Sequence, residues 1–117
     1  QNQHAVDRKS PMIYHMLPAA DWAATPAEAP YRAASLQSEG FIHCATRAQI
    51  PGVIQRHLQG RSDLVRLTLD ATRLEPWLRY EWSDASRDEY PHVHGPIPMT
   101  AVIAVELFDP TDAQYGG

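Results

Sequence analysis

From residue 63 onward the chain alternates: Leu64, Arg66 and Thr68 would face one way and Val65, Leu67 and Leu69 the other, which predicts a strand with one wholly apolar face, stopping at Asp70. Met12 to Leu17 also predicts a strand, ended by Pro18. A short helix should follow over Ala19 to Ala24, with Asp21 in its first turns and Trp22 as apolar anchor. Thr25 to Pro30 carries two prolines and should be a loop. Ala34 to Gly40 predicts a helical turn closed by glycine, because Gly is the least strained residue in the left-handed closing position. Phe41 to Cys44 then starts another strand.

Thr46 is a natural N-cap for a longer helix. Ile50, Val53, Ile54, His57 and Leu58 form its apolar stripe, Pro51 is tolerated in its first turn, and Gly60 ends it. His57 on that stripe reads as a satisfied core histidine. Leu78 to Ser83 and Ala101 to Phe108 predict further strands, the second apolar enough to be central in a sheet. Short strands mixed with two or three helices imply an α+β domain.

At 117 residues the chain suits one domain, since a chain of this size buries roughly two thirds of its unfolded surface around a single core. The polar, patternless stretch from Gln1 to Pro11 should precede it as a disordered tail or a remnant of upstream sequence, so the domain is placed at residues 12–117. Acidic residues outnumber basic ones 14 to 10, Lys9 is the only lysine and the arginines are scattered. This excludes a DNA-tracking surface and leaves single arginines to grip one or two phosphates. One cysteine, Cys44, permits no internal disulfide and fits a reducing cytoplasm. No stretch approaches the ~20 apolar residues of a membrane span. A soluble cytoplasmic protein without a membrane partner is therefore expected; no protein partner is legible.

Candidate chemistry concentrates in three phrases: Ile13-Tyr14-His15, Gly40-Phe41-Ile42-His43-Cys44 and Pro91-His92-Val93-His94-Gly95-Pro96. Each falls at a strand end or loop, where binding groups concentrate, and imidazoles in such contexts suggest a shared polar cleft. His43 and Cys44 are adjacent on a strand and face opposite sides, which weakens a Cys/His dyad and leaves Cys44 as a small buried hydrophobe. His92 and His94 share one face of an extended segment. With His15 or Glu89 they offer a metal chelate, but Pro91, Gly95 and Pro96 explain the segment equally as a rigid turn shaping a pocket wall, and no metal is expected. Ser35 and Thr46 can bond a ribose or phosphate, or serve as caps; Arg32 is the basic residue best placed for a pyrophosphate. Trp22, Tyr31, Trp77, Tyr80, Trp82 and Tyr90 offer stacking surfaces or core packing. Glu81 and Glu89 are the candidate carboxylates.

Taken in order, Ile13-Tyr14-His15, Ser35-Leu36, Glu39 through Thr46, Gln49, Asp63-Leu64-Val65, Tyr80-Glu81 and Pro91 through Pro98 resemble a bacterial family known as domain of unknown function 952, over about Met12 to Phe108. Members usually carry serine where Ala45 stands and tyrosine where His94 stands. That family is remotely similar to the ADP-ribosyltransferase-like group, which includes the RNA 2'-phosphotransferases. The resemblance implies a curved, split, mainly antiparallel β-sheet with two or three short helices and a cleft holding NAD. It implies a ribose or nicotinamide role for His15, a second role for the Ser35 and His43 region, and a third for His92 or His94. The usual transferase glutamate has no assured equivalent, Glu81 being the candidate that would support positive charge as nicotinamide departs. The catalytic candidates are thus His15, His43 and Glu81; those for binding NAD or an ADP-ribose-bearing ligand are His15, Arg32, Ser35, His43, Thr46, His92 and His94. The alternatives are a noncatalytic module for a small molecule or protein, and a histidine-ligated metal site.

Overall fold

The computed structural model describes residues 11–115. The tail expected over residues 1–11 falls, save for Pro11, outside them. Six strands and three short helices follow in the order β1 (Met12–Pro18), α1 (Ala19–Ala23), α2 (Ala34–Ser38), β2 (Ile42–His43), α3 (Ile50–Val53), β3 (Leu64–Asp70), β4 (Leu78–Ser83), β5 (Asp88–Val93) and β6 (Val102–Phe108), an α+β arrangement. The strands form two three-stranded sheets, β1-β3-β6 and β2-β5-β4, with every pairing antiparallel.

Among the described residues one backbone bridge joins the two sheets. Tyr14 in β1 and Ala45, just past β2, exchange two backbone hydrogen bonds of 2.8 Å, and the ladder goes no further. Beside that bridge the His15 side chain continues the connection, its Nδ1–H donating to the His43 carbonyl at 2.6 Å. A side chain thus takes over where backbone pairing stops, and the strands splay into a split.

The alternation expected for β3 is realised: Val65, Leu67 and Leu69 join Ile13 and Leu17 of β1, Ile42, Cys44 and Val93 in the larger core. Leu64, on the other face, packs with Tyr14, Ile50, Ile54, Phe108 and Tyr115 in a second cluster. As the middle strand of its sheet, β3 is buried on both faces.

Three expectations are corrected. β6 is an edge strand and not a central one; the face carrying Ile103, Val105 and Leu107 is exposed, Leu107 at 89%. With only three strands in the sheet, its apolar content has no fourth strand to meet. The single helix expected from Thr46 to Gly60 is three short pieces: a 3-10 turn at Arg47–Gln49, α3, and a π turn at Ile54–Leu58. Pro51 lacks the N–H of a regular ladder and Gly52 is a weak helix former, so no single spacing is enforced. The wide π turn moves His57 off the 3.6-residue stripe, and it is exposed instead of buried in the core.

The segment around His92, open in the sequence between an extended histidine pair and a rigid turn, is strand β5 as far as Val93, in the middle of its sheet. Pro91 is compatible with that place because the N–H and C=O of a strand residue point toward the same neighbour. Its carbonyl accepts from Cys44 N at 3.0 Å, on the side where β2 is just two residues long, so little ladder is lost to the missing donor. The glycine expected to close the second helix does so: Gly40 has φ +92°.

Candidate functional site

The split between the sheets opens into a cleft of about 510 Å³, with the π turn as its other wall. Pockets for small ligands commonly span about 300–1,000 Å³. His15 from β1, His43 from β2 and His92 from β5 all line it, so residues far apart in sequence converge as the histidine phrases imply.

His15 is buried at the junction. A carbonyl only accepts, so the bond to His43 O fixes the proton on Nδ1 and leaves a lone pair on Nε2, with the Tyr31 hydroxyl 3.4 Å away. Burial pushes the His15 pKa down to about 4, against the opposing pull of that carbonyl, so the ring is neutral at pH 7 and its Nε2 is an acceptor. Tyr31 is pushed up to about 12, first by burial and then by the nearby carboxylate of Asp21.

His92 and His94 share one carboxylate oxygen. Glu81 Oε1 lies 2.7 Å from His92 Nδ1 and 3.0 Å from His94 Nε2. The two hydrogen bonds hold the Glu81 carboxyl below its ordinary value, so it is ionised at neutral pH. Burial lowers the His92 pKa and outweighs Glu81, which pulls the other way. Phe41 stacks on the His92 ring at 4.1 Å between centroids, and His43 meets it edge-on at 5.3 Å. On the outer side His43 Nε2 contacts Glu39 Oε1 at 3.1 Å, half-exposed. In chemical terms, His15 and His92 each have one ring nitrogen committed to a protein acceptor and the other unprotonated.

The remaining sequence candidates lie elsewhere or are engaged. Ser35 Oγ donates to the Phe41 carbonyl at 2.8 Å, holding the approach to β2. Thr46 forms a capping box with Gln49, as its N-cap reading requires. Arg32 does not line the cleft, and neither does Glu81, which acts on it through His92. Cys44 packs into the larger core on the side opposite the His43 side chain while also touching the cleft wall, and burial pushes its thiol up, as a small buried hydrophobe should be. Trp22 packs on Tyr31, whereas Trp82 and Tyr90 do reach the cleft.

Sequence reasoning missed Arg56, His57 and Tyr14, which also line the cleft. Arg56 donates to the Tyr90 hydroxyl at 2.5 Å. Tyr14 could have been taken with its neighbour His15, but Arg56 carries no signal, because its direction depends on the π turn. Among the described residues no group of three or more His, Cys, Asp or Glu side chains is disposed to hold a metal ion. The trio of His15, His92 and His94 therefore does not converge as a chelate.

This is a two-sheet α+β domain with a histidine-lined cleft at the sheet junction. The family described as protein of unknown function (DUF952) matches residues 16–105, and the chain belongs to it. A search among curated proteins finds no match. Among solved structures the chain is similar to the crystal structure of protein CC0527 from Caulobacter crescentus, at 28% identity and a TM-score of 0.76, covering 88% of this chain and 90% of that one. It is also similar to the solution NMR structure of CC0527, at 27% identity and a TM-score of 0.73, covering 86% of each chain.

Proposed function

We propose that the cleft binds a nucleotide bearing an ADP-ribose group, with NAD as the leading candidate. The observation that carries this reading is the convergence of two neutral imidazoles, an arginine and aromatic rings on one cleft of nucleotide-compatible size. His92 Nε2 is an acceptor suited to a ribose hydroxyl, whereas His15 Nε2 faces the buried Tyr31 hydroxyl and holds the cleft wall in place; Arg56 takes the diphosphate role first given to Arg32. Tyr14, Trp82 and Tyr90 supply faces on which a base or nicotinamide ring can lie. Isothermal titration with NAD and ADP-ribose tests it. Saturable binding weakened at least about tenfold in Arg56→Ala supports the reading, since a charge-assisted contact contributes about 1.5–3 kcal/mol; no heat at millimolar ligand removes it.

A second reading has its own support. Among the described residues no carboxylate lines the cleft, and Glu81 is occupied by two imidazoles. This favours a module that binds such a ligand without transferring it. Saturable binding with no nicotinamide released on long incubation would select it.

A further inference from the structure

Resting on the reading of the cleft as an ADP-ribose site, we propose that His92 is its general base, aimed by Glu81 as a positioning residue, and that the acceptor is a hydroxyl compound or water. The geometry is that of an oriented base. Glu81 Oε1 can only accept, so the 2.7 Å contact places the proton on His92 Nδ1 and the lone pair on Nε2 across the ring. Nε2 enters no described hydrogen bond. It keeps solvent access on a ring whose opposite nitrogen is turned to Glu81 and whose residue lines the cleft.

Two further contacts fix the ring and its partner. Phe41 stacked against one face and His43 set edge-on restrict rotation of the imidazole, and His94 on the same oxygen pins the carboxylate. Burial keeps His92 unprotonated at neutral pH, the state a base needs. Once it has taken a proton, the ionised Glu81 stabilises the imidazolium. Glu81 therefore does not meet the charge developing on the sugar, the role the sequence offered it.

In the step this supports, the acceptor O–H proton passes to His92 Nε2 and the acceptor oxygen forms a bond to the anomeric carbon of the donor ribose. The carbon–nitrogen bond to nicotinamide breaks, its electron pair staying on the ring nitrogen, so nicotinamide leaves neutral. His92 then returns the proton to solvent, one per turnover. No oxidant, reductant or metal is needed.

The test uses the full chain labelled with 15N, NAD as donor and water or methanol as acceptor. Long-range proton–nitrogen spectra of the imidazoles should show His92 almost wholly as the Nδ1–H tautomer, and Glu81→Ala should turn it into a mixture. In the same variant nicotinamide release should fall about 100-fold, in kcat and not in KM, with the acid limb of the pH profile displaced. His92→Ala should lose at least as much, and the double variant no more. A purely structural Glu81 would change neither tautomer nor pH profile. Saturable NAD binding with no release, or release untouched by His92→Ala, overturns the base while leaving the ligand reading intact. Absence of saturable binding by both NAD and ADP-ribose overturns the two together.

Discussion

The two sheets are built alike and used differently. In β1-β3-β6 the face turned to the larger core is filled by Ile13, Leu17, Val65, Leu67 and Leu69, and its one polar member is His15, at the junction. In β2-β5-β4 the face opposite that core carries His43, Glu81 and His92, with His94 just beyond the strand. On that face of the first sheet, β1 and β3 place a core residue at nearly every second position, as packing requires. The second sheet departs from this pattern, with a two-residue strand and a proline in its middle strand, where a carboxylate and three imidazoles are held in register. Local rules fail at the place where the candidate site is assembled.

The sharpest way to break that contrast is to remove packing from one sheet and chemistry from the other. Leu67→Ala, in the central strand and fully buried, should cost about 2–5 kcal/mol in urea unfolding, whereas half-exposed His43→Ala should stay within about 0.5 kcal/mol. Similar losses in both would mean the second sheet is also held chiefly by the packing of its outer face.

His15 joins the two sheets and should mark the junction by its pH dependence. The unfolded imidazole binds a proton below about pH 6.5 and the native one only below about 4, so the unfolded chain holds more protons in that window. The stability contributed by the neutral ring is present above pH 6.5 and declines as pH falls toward 4, by about 3 kcal/mol at most. Denaturant midpoints measured from pH 7 to 4 should show this slope, flattened in His15→Gln. An equal slope in the variant would assign the effect elsewhere.

Smaller effects belong to the turns that frame the second sheet. A Cβ on Gly95 would stand 2.8 Å from Trp77 Cδ1, so Gly95→Ala should cost about 1–2 kcal/mol, read as a lowered thermal midpoint. Arg87, in the β4–β5 turn, has φ +54°, a conformation that favours glycine. Arg87→Gly should therefore stabilise by about 0.5–1 kcal/mol and leave ligand binding unchanged.

How far the sequence could be read follows the same division. β1, β3 and β4 were legible within a residue at each end, β3 and β4 because their apolar positions recur with a period of two and β1 because a short apolar run is ended by Pro18. Thr46 as a cap and Gly40 as a helix closer were legible because each role has few chemical solutions. β5 was hidden by Pro91, whose acceptability depends on how short its neighbour β2 is, a nonlocal fact. The place of β6 at an edge was likewise invisible, since strand order is not encoded in hydrophobicity. Of the candidate site, His15, His43 and His92 were found from their phrases, and the Glu81–His92 contact was not, because its partners are eleven residues apart on two strands. Arg32 follows Tyr31, which is core, and does not line the cleft, whereas Arg56, which does, carries no mark in the sequence.

Whether the junction between the sheets is a nucleotide cleft is read out by a two-dimensional proton–nitrogen NMR titration of the labelled chain with NAD and ADP-ribose. Saturable shifts should cluster at Tyr14, His15, His43, Arg56 and His92, with the exposed β6 face around Leu107 unmoved. Shifts confined to β6, or none at several times about 1 mM ligand, would contradict the account.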